Sequence, residues 1–381
     1  MNILYVANAR IPTEKAHGAA IMHACDAFVE AGAQVELAIA RRVNPIRVDA
    51  HEFYSVEKRF RIRRLPTLDL FFAHDVVGSI VFYIQAVSFY ISLFCWAVFR
   101  DRMSIVYTRD APALMLSYLG FKVFFECHSI PKKRDGFFRM LQQAEGIVVI
   151  SQALKQALIE GGIAEGDIIV EPSGVNLATF DLAVSQHDAR ARLDIPQSAR
   201  LLVYTGNFMT FRQDKGIADI LQALTKLDQT ISFYAVGGSP AECAYYEHLA
   251  AELGVSARTR FIGHRDQSEL ALYQRAADVL LMPFPDLPHY RNHMSPIKMF
   301  EYAASHRPII ASDLPTIREV LDEQCAMIVP PGNPSAIADA ARALMADTQG
   351  AERLAKEAYE RVALPHTWRA RARHIVSFLA K

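Results

Sequence analysis

"RLLVYTGNFMTFRQDKGIADILQALTKL", residues 200–227, decides the fold. The run after Arg200 is apolar on both of its alternating faces, as in a strand covered on both sides within a parallel sheet. Gly206 then provides a tight exit. From Lys215 to Leu227 the apolar residues recur at helical spacing, so a helix follows. The stretch is therefore one βα unit.

The same unit recurs in both directions. Upstream, "NILYVAN", "QVELAIA", "SIVYTRD", "KVFFECH" and "GIVVIS" read as buried strands, with helices such as Ala19–Ala31 and Gln152–Ile159 between them. Downstream, "ISFYAVGG", "RTRFIGH", "DVLLMPF", "PIIASD" and "CAMIVPP" alternate with helices at Ala241–Leu253, Gln267–Ala276 and Ser295–Ser305. This order predicts an α/β chain with two doubly wound, Rossmann-like domains, over 1–185 and 186–365. The break falls between Asp181 and Gln197. Residues 366–381 form a closing amphipathic helix expected to return to the first domain.

Length and composition agree. The 381 residues suit two domains, and 51% hydrophobic content fills two cores. Lys plus Arg and Asp plus Glu each number 41, which argues against a general nucleic-acid binder. Five scattered cysteines without a CxxC pair suggest buried thiols in a reducing compartment. The N-terminus enters a strand at once, without the pattern of a signal peptide, so a cytoplasmic location is expected.

In open α/β sheets ligands bind beyond the carboxyl ends of the strands, and with two domains the expected site is the cleft between them. Several residues at such positions stand out. Gly18 follows the first strand, where a helix start would favour an anion. No GxGxxG is present, so a nicotinamide or flavin fingerprint is absent. Arg109, Asp110 and His128 end first-domain strands. Lys215 stands at a helix start, where a lysine opposes the macrodipole: either an anion such as a diphosphate is bound there, or the side chain is a solvated lysine. Gly237 and Gly238 allow close approach of a ligand, and Gly263 and His264 either pack against a planar base or are a loop glycine and a surface histidine. Ser295 is a natural N-cap and Pro296 a natural first helical residue, ahead of Ile297. Lys298 and Glu301 follow at i, i+3: either a surface ion pair, or a phosphate contact beside a ribose contact.

Taken together, "GNF", "KGIADILQAL", "VGG", "FIGH", "ADVLLMPF" and "SPIKMFEYAASHRPIIASDLPTIREVL" resemble the retaining glycosyltransferases of family 4, which have the GT-B fold. "VVISQALKQAL", "EPSGVNLATF" and "TWRARARHIVSFL" extend the resemblance over nearly the whole length. It implies two Rossmann-like domains facing a central cleft, the first binding the acceptor and the second a UDP- or GDP-linked sugar. Glu301 matches the second glutamate of the Glu-x7-Glu motif, which holds the ribose. Lys215 matches the basic residue on the diphosphate, Gly18 the first-domain glycine loop and His128 the histidine near the scissile bond. His293 replaces the motif's first glutamate, and Asn207 a second basic residue. Ser173 and Asn176 also depart from the usual pattern. The implied reaction needs no metal, cofactor or protein nucleophile. Two rivals are a GT-B sugar-nucleotide epimerase and a non-catalytic partner that keeps only the fold.

Residues 76–99, "VVGSIVFYIQAVSFYISLFCWAVF", carry no charge and are long enough to span a bilayer. Strands of one domain flank them, so spanning is excluded. They pack within the domain or dip into the membrane interface. The basic runs at 58–64 and 132–134, with Arg100 and Arg102, favour an anionic surface. The expectation is a peripheral enzyme on the inner face of the cytoplasmic membrane, acting on a glycan or lipid-linked acceptor in envelope polysaccharide or glycolipid synthesis.

Overall fold

Near-continuous runs of Val, Ile, Leu and Phe form the central strands, because each is covered on both faces. The computed structural model describes residues 1–70, 80–131, 134–210 and 213–381. Two compact units result: Met1–Pro172 with Trp368–Lys381, and Ser173–Thr367.

The first unit holds a seven-stranded parallel sheet. Its strands are β1 (Asn2–Ala7), β2 (Gln34–Ala40), β3 (Arg61–Leu65), β4 (Ile105–Thr108), β5 (Val123–Cys127), β6 (Gly146–Val149) and β7 (Ile168–Val170). Their order is β3-β2-β1-β4-β5-β6-β7. The order reverses between β1 and β4, which pair in parallel with Val6 opposite Thr108. Helix α1 (Ala16–Glu30) follows β1, and α2 (Ile80–Ala97) precedes β4.

The second unit holds a six-stranded parallel sheet of β8 (Arg200–Thr205), β11 (Ile231–Gly238), β12 (Thr259–Gly263), β13 (Val279–Met282), β14 (Ile309–Ser312) and β15 (Met327–Val329). A short antiparallel pair, β9 (Met209–Thr210) and β10 (Gln213–Asp214), follows β8. The six strands run β12-β11-β8-β13-β14-β15, reversing between β8 and β13. The helices that matter below are α3 (Ile217–Thr225), α4 (Gln267–Ala276), α5 (Pro288–Asn292) and α6 (Ile297–Ala304).

The domain boundary differs from the expected 185/186. Residues from Ser173 onward belong to the second unit, because Val175 bridges to Thr367, and Asp181 pairs with His306 and with Tyr359. The closing helix α7 (Trp368–Leu379) belongs to the first unit: Trp368 stacks on His23 of α1, and Arg371 reaches Glu126 in β5.

The basic run at 58–64 contains a strand, β3. Charge on an edge strand discourages pairing with another chain. Three of its five cations are engaged within the protein: Lys58 with Asp49, Arg59 with Glu30 and Glu57, and Arg63 with Glu36. Of the apolar segment, residues 76–79 lie outside the described residues, as do 132 and 133 of the second basic run.

Candidate functional site

The second unit's ligand-binding edge lies where its strand order reverses, beyond β8 and β13. Gly206, just past β8, has φ +101°, a conformation open to glycine. Its N–H donates to Val236 O at 2.8 Å, which brings the β11 end close. A Cβ on Gly237 would stand 3.0 Å from the Gly206 backbone, and one on Gly238 would stand 2.3 Å from the Phe208 ring. Both of these candidate glycines are thus required by packing at the edge.

Lys298, in the first turn of α6, reaches this edge. Its Nζ lies 3.4 Å from the centroid of the Tyr204 ring and 5.7 Å from that of Phe284. The same atom is buried without a hydrogen-bond partner. Desolvation, with repulsion from Lys215, holds its pKa well below the usual lysine range. The expected surface ion pair with Glu301 is therefore not what the structure shows.

Lys215 is the second cation. It precedes Gly216, whose φ is +94° and whose Cβ would meet Pro283 O at 1.9 Å. Glycine there lets the Lys215 loop lie against the exit of β13. Burial lowers the Lys215 pKa to about 8. Asp214 accepts hydrogen bonds from the Gly216 and Ile217 amides, so the first amides of α3 are taken by a carboxylate. The anion-binding helix start expected at Lys215 is thus capped from within, and Lys215 contributes through its side chain.

Helix α6 starts differently from the sequence expectation. Its N-cap is Pro296, without a side-chain cap, and Ile297 is the first helical residue. The Ser295 hydroxyl instead accepts from the Ser173 N–H at 2.8 Å, while the Ser295 carbonyl accepts from the Ser173 hydroxyl at 2.8 Å. An uncapped start leaves α6 with unsatisfied N–H groups. Glu301, one turn further, is pushed up to about 7, chiefly by burial, against the influence of Lys298.

Beside this group stands α5, which carries His289 and ends at His293. The His293 N–H donates to His289 O at 3.0 Å. Burial, together with His293 and Lys215, lowers the His289 pKa. His289 is the residue that sequence reasoning missed; its signal is a second histidine four positions before His293. Asn207 uses its carbonyl to accept from the Tyr204 hydroxyl at 3.0 Å. His264 is exposed, just past β12.

In the first unit, Glu126 is buried inside β5 and was not foreseen as important. Its Oε1 accepts from Arg109 at 2.9 Å, Arg371 at 2.8 Å and His128 Nε2 at 2.8 Å, while Oε2 accepts from the Tyr107 hydroxyl at 2.6 Å. The guanidiniums hold this carboxyl well below the usual range despite its burial. Arg109, expected to bind substrate, is committed to this network. The His128 pKa is lowered by burial and then by Arg109. A neutral His128 gives its Nε2 proton to Glu126, which leaves Nδ1 as an acceptor.

Gly18 lies inside α1 rather than in a loop. A Cβ there would meet the Tyr54 hydroxyl at 2.2 Å. That hydroxyl accepts from the Thr13 N–H at 2.7 Å and donates to Thr13 O at 2.6 Å. Gly18 therefore makes room for Tyr54, and its expected approach to a phosphate is not needed to explain it. Among the described residues, no cluster of three or more His, Cys, Asp or Glu side chains is placed to hold a metal.

Residues 199–347 match the family model for glycosyl transferases group 1. The match covers the strands and helices that build the cationic edge of the second unit. The chain is also similar to D-inositol 3-phosphate glycosyltransferase from Corynebacterium glutamicum, 27% identical over 251 residues, covering 63% of this chain and 58% of that protein. The chain spans 35% to 58% of the lengths of the first three curated relatives it matches.

Among solved structures, sucrose-phosphate synthase from Thermosynechococcus elongatus superposes with a TM-score of 0.80 at 21% identity, covering 100% of this chain and 98% of that one. The Anabaena protein HepE, solved in complex with UDP and glucose, gives 0.76 at 16% identity, covering 100% and 99%. At these identities the likeness establishes the fold: two Rossmann-like units of the GT-B type.

Proposed function

We propose that the protein is a retaining glycosyltransferase. It moves a sugar from a UDP- or GDP-linked donor to a glycan or lipid-linked acceptor in cell-envelope polysaccharide or glycolipid synthesis. The observation that carries this is the Lys298 ammonium, buried beyond β8 without a hydrogen-bond partner. A buried cation without an acceptor is costly unless an anion completes it. With Lys215 beside it, the matching ligand is a diphosphate. The matched family model and the UDP held by the Anabaena protein support the same donor class.

Chemically, the bond between the sugar's anomeric carbon and the diphosphate oxygen breaks, and charge develops on the leaving group. Lys298, Lys215 and the uncapped start of α6 stabilise that charge. An ionised Glu301 accepts two hydrogen bonds from a ribose diol. His289 and His293 supply polar contacts beside the diphosphate. The acceptor oxygen joins the anomeric carbon on the face the diphosphate leaves, and its proton passes to the departing phosphate, so no protein nucleophile is required. We place the protein in the cytoplasm, peripheral on the inner face of the membrane through the outer face of α2.

A donor screen tests the reading. Calorimetry and hydrolysis assays with UDP-, GDP-, ADP- and dTDP-sugars should single out one nucleotide, and NMR of the product should show the donor's anomeric configuration. Failure of all four classes to bind would remove the proposal, and an inverted product would remove its stereochemical part.

A further inference from the structure

Side-chain alternation puts Phe124, Glu126 and His128 on the same side of β5 and its exit. Helix α7 lies against that side. The Phe378 ring meets the Phe124 ring edge-on, with centroids 5.7 Å apart, and a Cβ on Gly146 would stand 2.6 Å from Phe378. Earlier on α7, Arg371 donates to Glu126 at 2.8 Å and, through Nε, to Pro172 O at 2.8 Å. The helix is thus seated by its apolar end, and Arg371 is delivered to Glu126. His128 comes last on this face and is open. Its side chain is 37% exposed, against 0% for Glu126 and 4% for Arg371. It stands past the carboxyl end of β5, which pairs with β4, one of the two strands where the order of the sheet reverses. Ligands of doubly wound sheets bind on this edge.

The donors gathered on Glu126 fix the state of the ring. Oε1 takes Arg109, Arg371 and His128 Nε2, and Oε2 takes the Tyr107 hydroxyl. An ionised carboxylate only accepts, so the ring proton must sit on Nε2. A charged imidazolium would be a third cation against one carboxylate oxygen, so the ring is neutral. Nδ1 is then an acceptor, and among the described residues nothing hydrogen-bonds it. An acceptor nitrogen has no proton to offer a phosphate oxygen. Its natural partner is a hydroxyl, the group that a sugar presents in number.

We propose that Arg371 and Glu126 are positioning residues, which hold His128 as the Nε2–H tautomer so that Nδ1 accepts a hydrogen bond from a sugar hydroxyl at the edge of the first unit. The closing helix α7 thereby sets the state of a ligand-binding side chain as well as covering the sheet. This rests on the glycosyltransferase reading and adds to it how the first unit meets a sugar.

The test uses the full chain and the sugar nucleotide found in the donor screen. Long-range proton–nitrogen NMR on protein labelled at histidine reads the tautomer, with His128 assigned by the signals lost in His128→Gln. At pH 7 the wild type should show Nε2 protonated and Nδ1 bare. His128→Gln keeps a donor toward Glu126 and loses the Nδ1 acceptor. It should lower kcat about tenfold, the loss of one hydrogen bond in the transition state, while Kd for the nucleoside diphosphate stays within twofold. If the hydroxyl belongs to the transferred sugar, hydrolysis without acceptor should fall in parallel; if it belongs to the acceptor, only transfer should fall. Either result supports the inference, and the two separate the sources. The charged groups facing His128 are Glu126, Arg109 and Arg371. Arg371→Met removes one of the two cations, so the His128 titration midpoint should rise and kcat should fall. Arg371→Lys, which keeps the charge, should restore most of both. A protonated Nδ1 or a charged ring in the wild type at pH 7 would overturn the inference, and this spectrum decides even where Arg371→Met fails to fold. An unchanged kcat in His128→Gln would also overturn it. A lower melting temperature in Arg371→Met with the His128 midpoint unmoved would make Arg371 structural only. Failure of the wild type to bind any sugar nucleotide would remove the underlying reading and leave the tautomer result standing.

Discussion

The Lys298 ammonium stands 3.4 Å above the ring of Tyr204 with no hydrogen-bond acceptor. Attraction to the ring face offsets only part of the loss of hydration. Folding and ligand binding therefore make opposite demands on this residue. Lys298→Met should leave the melting temperature unchanged or raise it, because it removes a buried amine that lacks a hydrogen-bond acceptor and is costly to charge. It should weaken UDP binding at least about tenfold, roughly 1.4 kcal/mol, by calorimetry. A lower melting temperature with unchanged UDP affinity would show that the ammonium is structural.

Gly18 gives the reverse pattern. A methyl there collides with a Tyr54 hydroxyl that holds both polar groups of the Thr13 backbone. Gly18→Ala should cost roughly 1–3 kcal/mol of stability through overpacking. Nucleotide affinity should change less than threefold. Denaturant titration and calorimetry on one preparation separate the two effects, and Tyr54→Phe in the same background should recover part of the loss, since it removes the colliding hydroxyl together with its two hydrogen bonds to Thr13.

How much of this was legible in the sequence follows from which contacts are local. Strand Gln34–Ala40 and helix Gln267–Ala276 match their expected bounds, because apolar runs and an Asp266 cap mark them within a few residues. Strand β3 was hidden, since its sequence RIRRL reads as a charged surface until its position at the sheet edge is known. The apolar segment 76–99 shows its length but not its two faces; those emerge only once Gln85 finds Asn8. Ser295 has the composition of a cap, yet a distant partner, Ser173, claims its hydroxyl. Lys298 is buried by Tyr204 and Phe284, far from it in sequence, so spacing to Glu301 alone suggested the wrong partner. Glu126 carried a usable signal: a carboxylate within the apolar strand VFFEC must be paired.

That pairing is the basis of a third prediction. Glu126 sits between Arg109 and Arg371, both reaching the same oxygen. Glu126→Gln keeps the shape but leaves two buried guanidiniums without their counter-charge. The loss should be about 3–5 kcal/mol, the usual cost of breaking a buried pair by removing one partner. Because Arg371 lies on α7, the variant should also loosen that helix, seen as faster hydrogen exchange over 368–379 than over β2.

The outer face of α2 should decide membrane contact. Val87 and Ile91 are more than half exposed and carry no packing role on the buried side of the helix. The double variant Val87→Glu, Ile91→Glu should abolish flotation with anionic liposomes and leave the melting temperature within about 2 °C. Since Lys58, Arg59 and Arg63 are engaged in ion pairs, salt should weaken flotation of the wild-type protein only modestly. Flotation lost entirely in moderate salt would instead assign binding to the basic residues.

Donor affinity should depend on pH through two groups shifted toward each other. Glu301 has its pKa raised to about 7, and Lys215 has its pKa lowered to about 8. A ribose diol is best accepted by an ionised Glu301, so affinity should increase as pH rises through 7. A diphosphate is best held by a charged Lys215, so affinity should decline as pH rises through 8. UDP binding should therefore peak between about 7 and 8. Glu301→Gln should remove the acidic limb and leave the basic one, while Lys215→Arg should carry the basic limb to higher pH. Stability of the free protein gives an independent check. Glu301 binds its proton more tightly folded than unfolded, so its contribution is present in full below about pH 4.5 and is lost as pH rises through 7. Lys215 has the opposite sign: the unfolded chain binds more protons between about 8 and 10.5, so stability from this group rises across that range. Saturating UDP should raise the Lys215 pKa and shift the onset of that rise upward. A pH-independent UDP affinity between 6 and 9 would exclude both groups from the donor site.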